Sequence, residues 1–124
     1  MRNLQKDWAY HKYWVMGHSQ AHYNALRLLF KGNDWSEEKT QRYHQLIDEA
    51  GTIRPSKATL TTSYQHMWGY FKKRATDSEK ERYKLLISQV TPEDDRLGPF
   101  LLELIETYQP PYLLHSKFYK EKGF

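Results

Sequence analysis

The chain has 124 residues, of which 15% are aromatic and 27% charged, and its formal net charge is +4. This length fits one domain, and fourteen Leu against two Val and four Ile favour helices over sheets. The absence of cysteine excludes disulfides, thiolate nucleophiles, iron–sulfur ligation and cysteine-based zinc sites. No stretch approaches the roughly 20 apolar residues that span a bilayer. Residues 1–7 lack the apolar segment of a secretory signal, so we expect a cytoplasmic protein.

Helix-capping residues divide the first half of the chain into three predicted helices. They run from Asp7 to Gly17, from Ser19 to about Lys31, and from Ser36 to Gly51, with Gly32 and Asn33 closing the second. Asp and Ser at a helix start accept hydrogen bonds from free backbone amides, whereas glycine tolerates the backbone conformation that ends a helix.

The second half of the chain carries the same kind of signals. A fourth helix is predicted over residues 57–74, and a capping box at Ser78–Glu81 opens a fifth that ends near Val90. A helix start at 91–94 is interrupted at Gly98 and Pro99, a sixth helix follows over 99–108, and a final short helix covers 112–119 after a break at 109–111. The prediction is one all-α domain over residues 1–124, a compact bundle of six to seven helices with an aromatic-rich core.

The fourth helix has the clearest amphipathic pattern. The residues predicted to face the core recur at spacings of three and four: Leu60, Tyr64, Met67, Trp68, Phe71 and Ala75. Gly69 lies on the opposite, polar stripe beside His66. Because glycine costs about 1 kcal/mol relative to alanine inside a helix, its presence indicates close approach of a ligand or of another helix.

The second helix shows two similar stripes. Its predicted polar face carries Gln20, Asn24, Arg27 and Lys31, and its predicted apolar face carries Ala21, Ala25, Leu28 and Leu29.

Positive charge is concentrated in two windows that contain no acidic residue, 8–33 and 50–76. Together they hold eight of the nineteen Lys and Arg residues, a charge of +8, so the rest of the chain, with eleven basic and fifteen acidic residues, carries −4. Such segregation is typical of a surface that meets phosphate or another anion. The alternative is that these windows are the more buried helices, with few charges of any sign.

Three stretches of the chain resemble the YbgA-like domain family, whose function is unknown. The first is His11-Lys12 followed by Met16-Gly17-His18-Ser19 and Tyr23. The second is residues 65–73, which read Gln-His-Met-Trp-Gly-Tyr-Phe-Lys-Lys, and the third is residues 110–113, which read Pro-Pro-Tyr-Leu. The chain departs from the family at Gln20-Ala21, where Pro-Glu is frequent, and this weakens the helix-start signal there.

The resemblance implies an accessory role in the metabolism of thiolated nucleosides. Such domains occur alone or fused behind a cysteine-rich iron–sulfur domain related to thiouracil desulfidases, which act on thiolated uracil or tRNA. The helical part then resembles an RNA-holding module. Because this chain has no cysteine, desulfidation would need a separate iron–sulfur protein as partner.

The histidines allow a metal or catalytic interpretation. His18 and His22 have the i, i+4 spacing of helical zinc ligands, but neither acid-free window supplies a carboxylate, so we expect no metal and no cofactor. His18 or His22 together with His66 could form a two-imidazole acid–base site of a hydrolase or phosphoester-processing enzyme. We expect no catalytic activity of the domain on its own.

The preferred hypothesis is RNA binding, with tRNA as the ligand that the resemblance favours. Lysine and arginine supply contacts to phosphates, and aromatic or histidine side chains stack on unpaired bases. The candidate binding residues are Lys12, His18, His22, Tyr23, Arg27, Lys31, Gln65, His66, Gly69, Tyr70, Lys72 and Lys73.

A third hypothesis is a protein–protein interaction module, with a homodimer left open. Tyrosine and tryptophan are enriched at protein interfaces. The aromatic residues outside the motifs that could serve this purpose are Trp35, Phe118, Tyr119 and Phe124; the alternative is that they pack against their own domain.

Overall fold

The computed structural model describes residues 2–32 and 34–124, and within them the chain is all-α. It is 71% helical, and the described residues contain no strand. The helices are α1 (Arg2–His18), α2 (Gln20–Leu29), α3 (Glu37–Gly51), α4 (Lys57–Trp68), α5 (Asp77–Gln89), α6 (Leu97–Tyr108), α7 (Pro111–Leu114) and α8 (Lys117–Lys120). None of the described helices combines the length and apolar character that crossing a membrane requires.

The predicted start of the first helix is wrong, because α1 begins at Arg2 and Asp7 lies inside it. Asp7 has a tertiary partner instead of a capping role: the hydroxyl of Tyr43 donates to its Oδ2 at 2.6 Å. The caps predicted at the next two helices are confirmed. The Ser19 hydroxyl accepts from the His22 amide, and that of Ser36 accepts from the Lys39 amide.

Of the two residues predicted to end the second helix, Gly32 and Asn33, the structure describes only Gly32. Gly32 has φ +82°, the left-handed conformation that glycine adopts freely, whereas Asn33 lies outside the described residues. Gly51 is the last residue of α3, as predicted.

The fourth helix is shorter than predicted, since α4 ends at Trp68 and residues 69–74 form turns. The amides of Tyr70 and Phe71 bond to carbonyls three residues back, which tightens the chain after the helix. Gly69 is the C-cap. A β-carbon there would meet only the His66 carbonyl, at 3.1 Å, among the described residues, and Gly69 has φ −54° and ψ −25°, a conformation open to any residue. Neither a crossing helix nor a left-handed backbone therefore requires glycine at this position.

The capping box of the fifth helix lies two residues earlier than predicted. Thr76, not Ser78, is the N-cap, with its hydroxyl accepting from the Glu79 amide at 3.1 Å. The Glu79 carboxylate accepts from the Thr76 amide at 2.9 Å. Both sequences fit the motif, and the structure forms the first of the two.

The last third of the chain corrects two further predictions. Gly98 and Pro99 do not interrupt a helix but lie in the first turn of α6, where proline costs no hydrogen bond, and residues 92–94 form only bends. The break at 109–111 is confirmed by Gln109, which has φ 51°. The final helix is two short ones, α7 and α8, because Ser116 starts a new helix by accepting from the Tyr119 amide.

Helix α1 lies at the centre and packs against α2, α3, α4 and α8. One face of α1 contributes Tyr13 and Met16 to a core shared with α4 and α6. The neighbouring face contributes Val15 to a second core with α2 and α3, where Tyr43 is fully buried. The predicted aromatic-rich core is confirmed.

The stripe predicted for α4 is confirmed, since Leu60, Tyr64, Met67, Phe71 and Ala75 are all buried and Trp68 is partly buried.

The apolar stripe predicted for α2 is wrong in part. Leu26 is the buried residue of this helix, whereas Leu28 is 60% exposed and Ala21 is exposed as well. The predicted polar residues Gln20, Asn24, Arg27 and Lys31 are all exposed. The face of α2 that packs into the bundle is therefore the one around Leu26, about half a turn away from Leu28.

The aromatic residues considered for a protein interface pack within the domain. Phe118 is fully buried, and the ring of Phe124 lies 5.2 Å from it. Trp35 stacks on Phe30 at 5.0 Å between centroids, and the Tyr119 hydroxyl donates to Glu106. The alternative of packing against their own domain accounts for all four.

Candidate nucleic-acid interface

The structure distributes the twelve predicted binding residues over four places. His18 and His22 lie where α1, α2 and α3 meet. Lys12, Tyr23 and Tyr70 lie around a group of tyrosines, Arg27 and Lys31 lie on the outer face of α2, and Gln65, His66, Gly69, Lys72 and Lys73 lie on the exposed side of α4 and the turns after it.

His18 and His22 are both engaged in interactions within the domain. His18 is buried, and its Nδ1 lies 2.8 Å from the Ile53 carbonyl oxygen. His22 Nδ1 lies 2.7 Å from the Ser19 hydroxyl, and its Nε2 lies 3.2 Å from a Glu49 carboxylate oxygen. Within the described part of the chain, no three His, Asp or Glu side chains converge as metal ligands.

His66 lies far from the other two imidazoles. Its Nδ1 lies 2.8 Å from the Thr62 carbonyl, and its side chain is exposed in the last turn of α4. His18 bonds instead to Ile53, which precedes the start of α4. From residue 57 to residue 66 the helix rises by about 14 Å, so the His18–His66 pair of a two-imidazole acid–base site is not formed.

The tyrosine group consists of Tyr13, Tyr23, Tyr70 and Tyr112. The hydroxyls of Tyr13 and Tyr70 are 3.0 Å apart, and the rings of Tyr70 and Tyr112 stack at 5.9 Å. Burial raises the pKa of Tyr13, and the Tyr70 hydroxyl adds to that shift. The Lys12 ammonium lies 5.8 Å from the Tyr13 ring centroid. Tyr112 also lines an open, mostly apolar cavity of about 740 Å³.

A second aromatic surface lies between α4 and α5, and we call it the α4–α5 groove. It has a volume of about 340 Å³ and is lined by Trp68, Lys72, Lys80, Glu81, Tyr83 and Lys84. The rings of Trp68 and Tyr83 are 4.2 Å apart and 5° from parallel. Burial raises the pKa of Tyr83, which keeps its hydroxyl protonated.

The groove is electropositive. Lys72, Lys80 and Lys84 are exposed, and none of them forms an ion pair with another described residue. Lys80 and Lys84 are four residues apart on α5, a spacing at which like charges repel. Glu81 is the one acid of the lining, so three positive charges face one negative charge.

Sequence reasoning found Lys72 but missed the rest of the groove. Trp68 was assigned to the core stripe, and α5 was passed over because it also carries acidic residues. The signal was present in Lys80, Tyr83 and Lys84, whose spacing of three and four places them on one helix face.

These observations define a small all-α domain with a lysine-rimmed aromatic groove. Residues 12–121 match a family described as "Protein of unknown function (DUF1722)", to which YbgA-like domains belong, and the chain is a member of that family. No curated protein and no solved structure matches the chain significantly.

Proposed function

We propose that this domain binds RNA and that the α4–α5 groove holds an unpaired segment of it. The observation that carries the proposal is the stacked Trp68–Tyr83 pair with three exposed lysines around it. Single-stranded nucleic acid is held by this combination of aromatic surfaces, on which bases stack, and lysines, which neutralise phosphates.

The arrangement of the charges supports a strand that runs along the groove. Lys72 follows α4, whereas Lys80 and Lys84 belong to α5, so positive charge flanks the aromatic pair from both helices. Lys73 is exposed beside Lys72 and extends the positive surface at that end.

The resemblance to YbgA-like domains extends the proposal to tRNA and to thiolated nucleosides. In this proposal the domain acts without catalysis of its own and presents the RNA to a separate iron–sulfur desulfidase. A cytoplasmic location stays a prediction, and the homodimer belongs to the alternative of a protein–protein interaction module.

The test is the salt dependence of binding to a fluorescently labelled single-stranded RNA, measured by anisotropy. For single strands the slope of log K against log[salt] is about −0.7 per neutralised phosphate. A variant with Lys72, Lys80 and Lys84 all changed to alanine should therefore have a slope flatter by about 2. Between 50 and 200 mM salt, the wild-type affinity should fall about 20-fold more than that of the variant.

A matched variant changes three exposed lysines that are not among the candidate binding residues, Lys6, Lys57 and Lys120, and thus removes the same net charge. It should keep the wild-type slope. Equal slopes for the two triple variants would place binding outside the groove, and no binding at low salt would refute RNA binding altogether.

A further inference from the structure

The ring of Phe124 fills a slot made by the C-terminal end of α1, the middle of α4 and α8. A β-carbon at Gly17 would lie within 2.7 Å of three ring carbons of Phe124, so this ring rests directly on the backbone of α1. The other walls are His18 at 6.0 Å, Tyr64 at 5.5 Å and Phe118 at 5.2 Å between ring centroids. We call this the ring slot.

His18, which lines the ring slot, has an unused hydrogen-bonding group. The Ile53 carbonyl can only accept, so His18 Nδ1 carries the hydrogen that bonds to it, and in the neutral ring Nε2 keeps a lone pair. Nε2 is buried and has no hydrogen-bond partner among the described residues. A buried acceptor without a partner costs free energy, so its persistence points to a ligand that satisfies it.

Phe124, which occupies the slot, is connected to the chain differently from the residues that form the walls. Phe124 follows Gly123, whose φ is +132°, and a β-carbon at Gly123 would meet nothing within 4 Å. The family match covers the slot residues Gly17, His18, Tyr64 and Phe118 but ends at residue 121, before the occupant.

An open cavity of about 380 Å³ adjoins the slot, and Phe124 and Tyr64 line both. Withdrawal of Phe124 would join this cavity to the slot. Arg54 lies at the cavity wall and would then flank anything that enters.

We propose that the ring slot is a binding site for a planar six-membered heteroaromatic ring with an N–H donor, a pyrimidine base, and that Phe124 is its exchangeable occupant. The base takes the place of the phenyl ring on Gly17, and its N–H donates to His18 Nε2. The base belongs either to a free nucleobase or to an RNA strand. The inference does not depend on RNA binding at the α4–α5 groove.

The first test measures access to His18 with diethyl pyrocarbonate, which modifies unprotonated imidazole nitrogens, followed by peptide mapping. His18 should be protected in the wild-type protein and become reactive in Phe124→Ala. Exposed His66 is the internal control and should react equally in both proteins. Protection of His18 in Phe124→Ala would overturn the proposal, because the slot would then be closed without its occupant.

The second test titrates uracil and 1,3-dimethyluracil, which lacks the N–H donor, into both proteins by calorimetry. Competition from an occupant that fills a site about 90% of the time weakens binding about tenfold, so uracil should bind Phe124→Ala roughly tenfold more tightly than the wild-type protein. Dimethyluracil should bind more weakly than uracil to Phe124→Ala. Equal affinity for both compounds, or no binding of uracil to Phe124→Ala, would overturn the proposal.

Gly17→Ala provides a second variant should Phe124→Ala fail to fold. Its methyl group displaces the Phe124 ring but also fills the floor of the slot, so His18 should become reactive while uracil still does not bind. Protection of His18 in this variant would contradict the slot geometry.

An oligouridylate separates the two sources of the base. If it protects His18 from modification in Phe124→Ala as uracil does, the slot takes a base of RNA; if only uracil protects, it takes the free base. Either result supports the site, and protection by neither overturns it. Uracil binding should be unchanged when Lys72, Lys80 and Lys84 are replaced, so failure of the groove proposal and failure of this one are distinguishable.

Discussion

Replacing Gly98 by alanine tests how Tyr64 is held between α4 and α6. Tyr64 is 1% exposed, and its hydroxyl donates to Oδ2 of Asp95, whose Oδ1 accepts from the Gly98 amide at 2.9 Å. Burial, and then the Asp95 carboxylate, raise the pKa of Tyr64, so the hydroxyl stays protonated and donates. A β-carbon at Gly98 would lie 2.7 Å from the Tyr64 hydroxyl oxygen and 3.1 Å from Asp95 Oδ2.

The magnitude follows from two opposing terms. Displacing the Tyr64 hydroxyl breaks a hydrogen bond to a charged group, worth about 1.5–3 kcal/mol, whereas alanine gains at most about 1 kcal/mol over glycine in a helix. With the full gain of alanine counted, the net free energy of unfolding should fall by about 0.5–2 kcal/mol. For a domain of this size that corresponds to a decrease in Tm of about 2–8 °C.

The assay is thermal unfolding followed by circular dichroism, with Gly69→Ala as the matched control. Gly69 is exposed at the end of α4, and a β-carbon there would meet, among the described residues, only the His66 carbonyl of its own turn, at 3.1 Å, with no side-chain hydrogen bond to break, so alanine there should lower Tm by less than Gly98→Ala does. In a Tyr64→Phe background the hydroxyl is absent, and Gly98→Ala should lose most of its cost. An equal cost in both backgrounds would refute the argument.

Two further predictions concern α5 and α2. The Tyr108 hydroxyl holds the pKa of Glu79 below its usual range, so ionised Glu79 stabilises the fold above the pKa of the unfolded chain, and this contribution is lost as pH falls through the lowered pKa. Urea unfolding of Glu79→Gln should show a lower free energy of unfolding than wild type at pH 7 and a smaller loss of that free energy on acidification. The exposed control Glu103→Gln should show neither effect. Identical pH profiles for wild type and Glu79→Gln would contradict this prediction. Leu26→Ala should cost about 2–5 kcal/mol of unfolding free energy, because Leu26 is fully buried, whereas Leu28→Ala should cost little, because Leu28 is 60% exposed. Equal urea midpoints for the two leucine variants would contradict the packing of α2.

The all-α class and most helix positions could be predicted because they depend on local chemistry. The Ser19 and Ser36 caps work through the amides of their own next turn. The α4 stripe repeats at helical spacing, so its buried face was correct. The errors occurred where a distant contact decides the outcome: Asp7 resembles a cap in the sequence, but Tyr43, thirty-six residues later, binds it.

The candidate site was less accessible to prediction, because charge windows along the chain do not show which helix faces meet. The acid-free windows contain Lys72, but two lysines of the groove lie on α5, among acidic residues of which Glu81 also lines the groove. His18 and His66 could have formed one two-imidazole site, but His18 is buried and bonds to the Ile53 carbonyl, whereas His66 is exposed and bonds to the Thr62 carbonyl.

Local patterns establish that this protein is a helical domain of the YbgA-like type, since composition, capping residues and motifs act over a few neighbouring positions. The packing of the helices, in contrast, places Trp68 on Tyr83 and Phe124 on Gly17. Those pairs are fifteen and 107 residues apart, and they meet because helices burying separate apolar stripes pack at positions that no local pattern encodes.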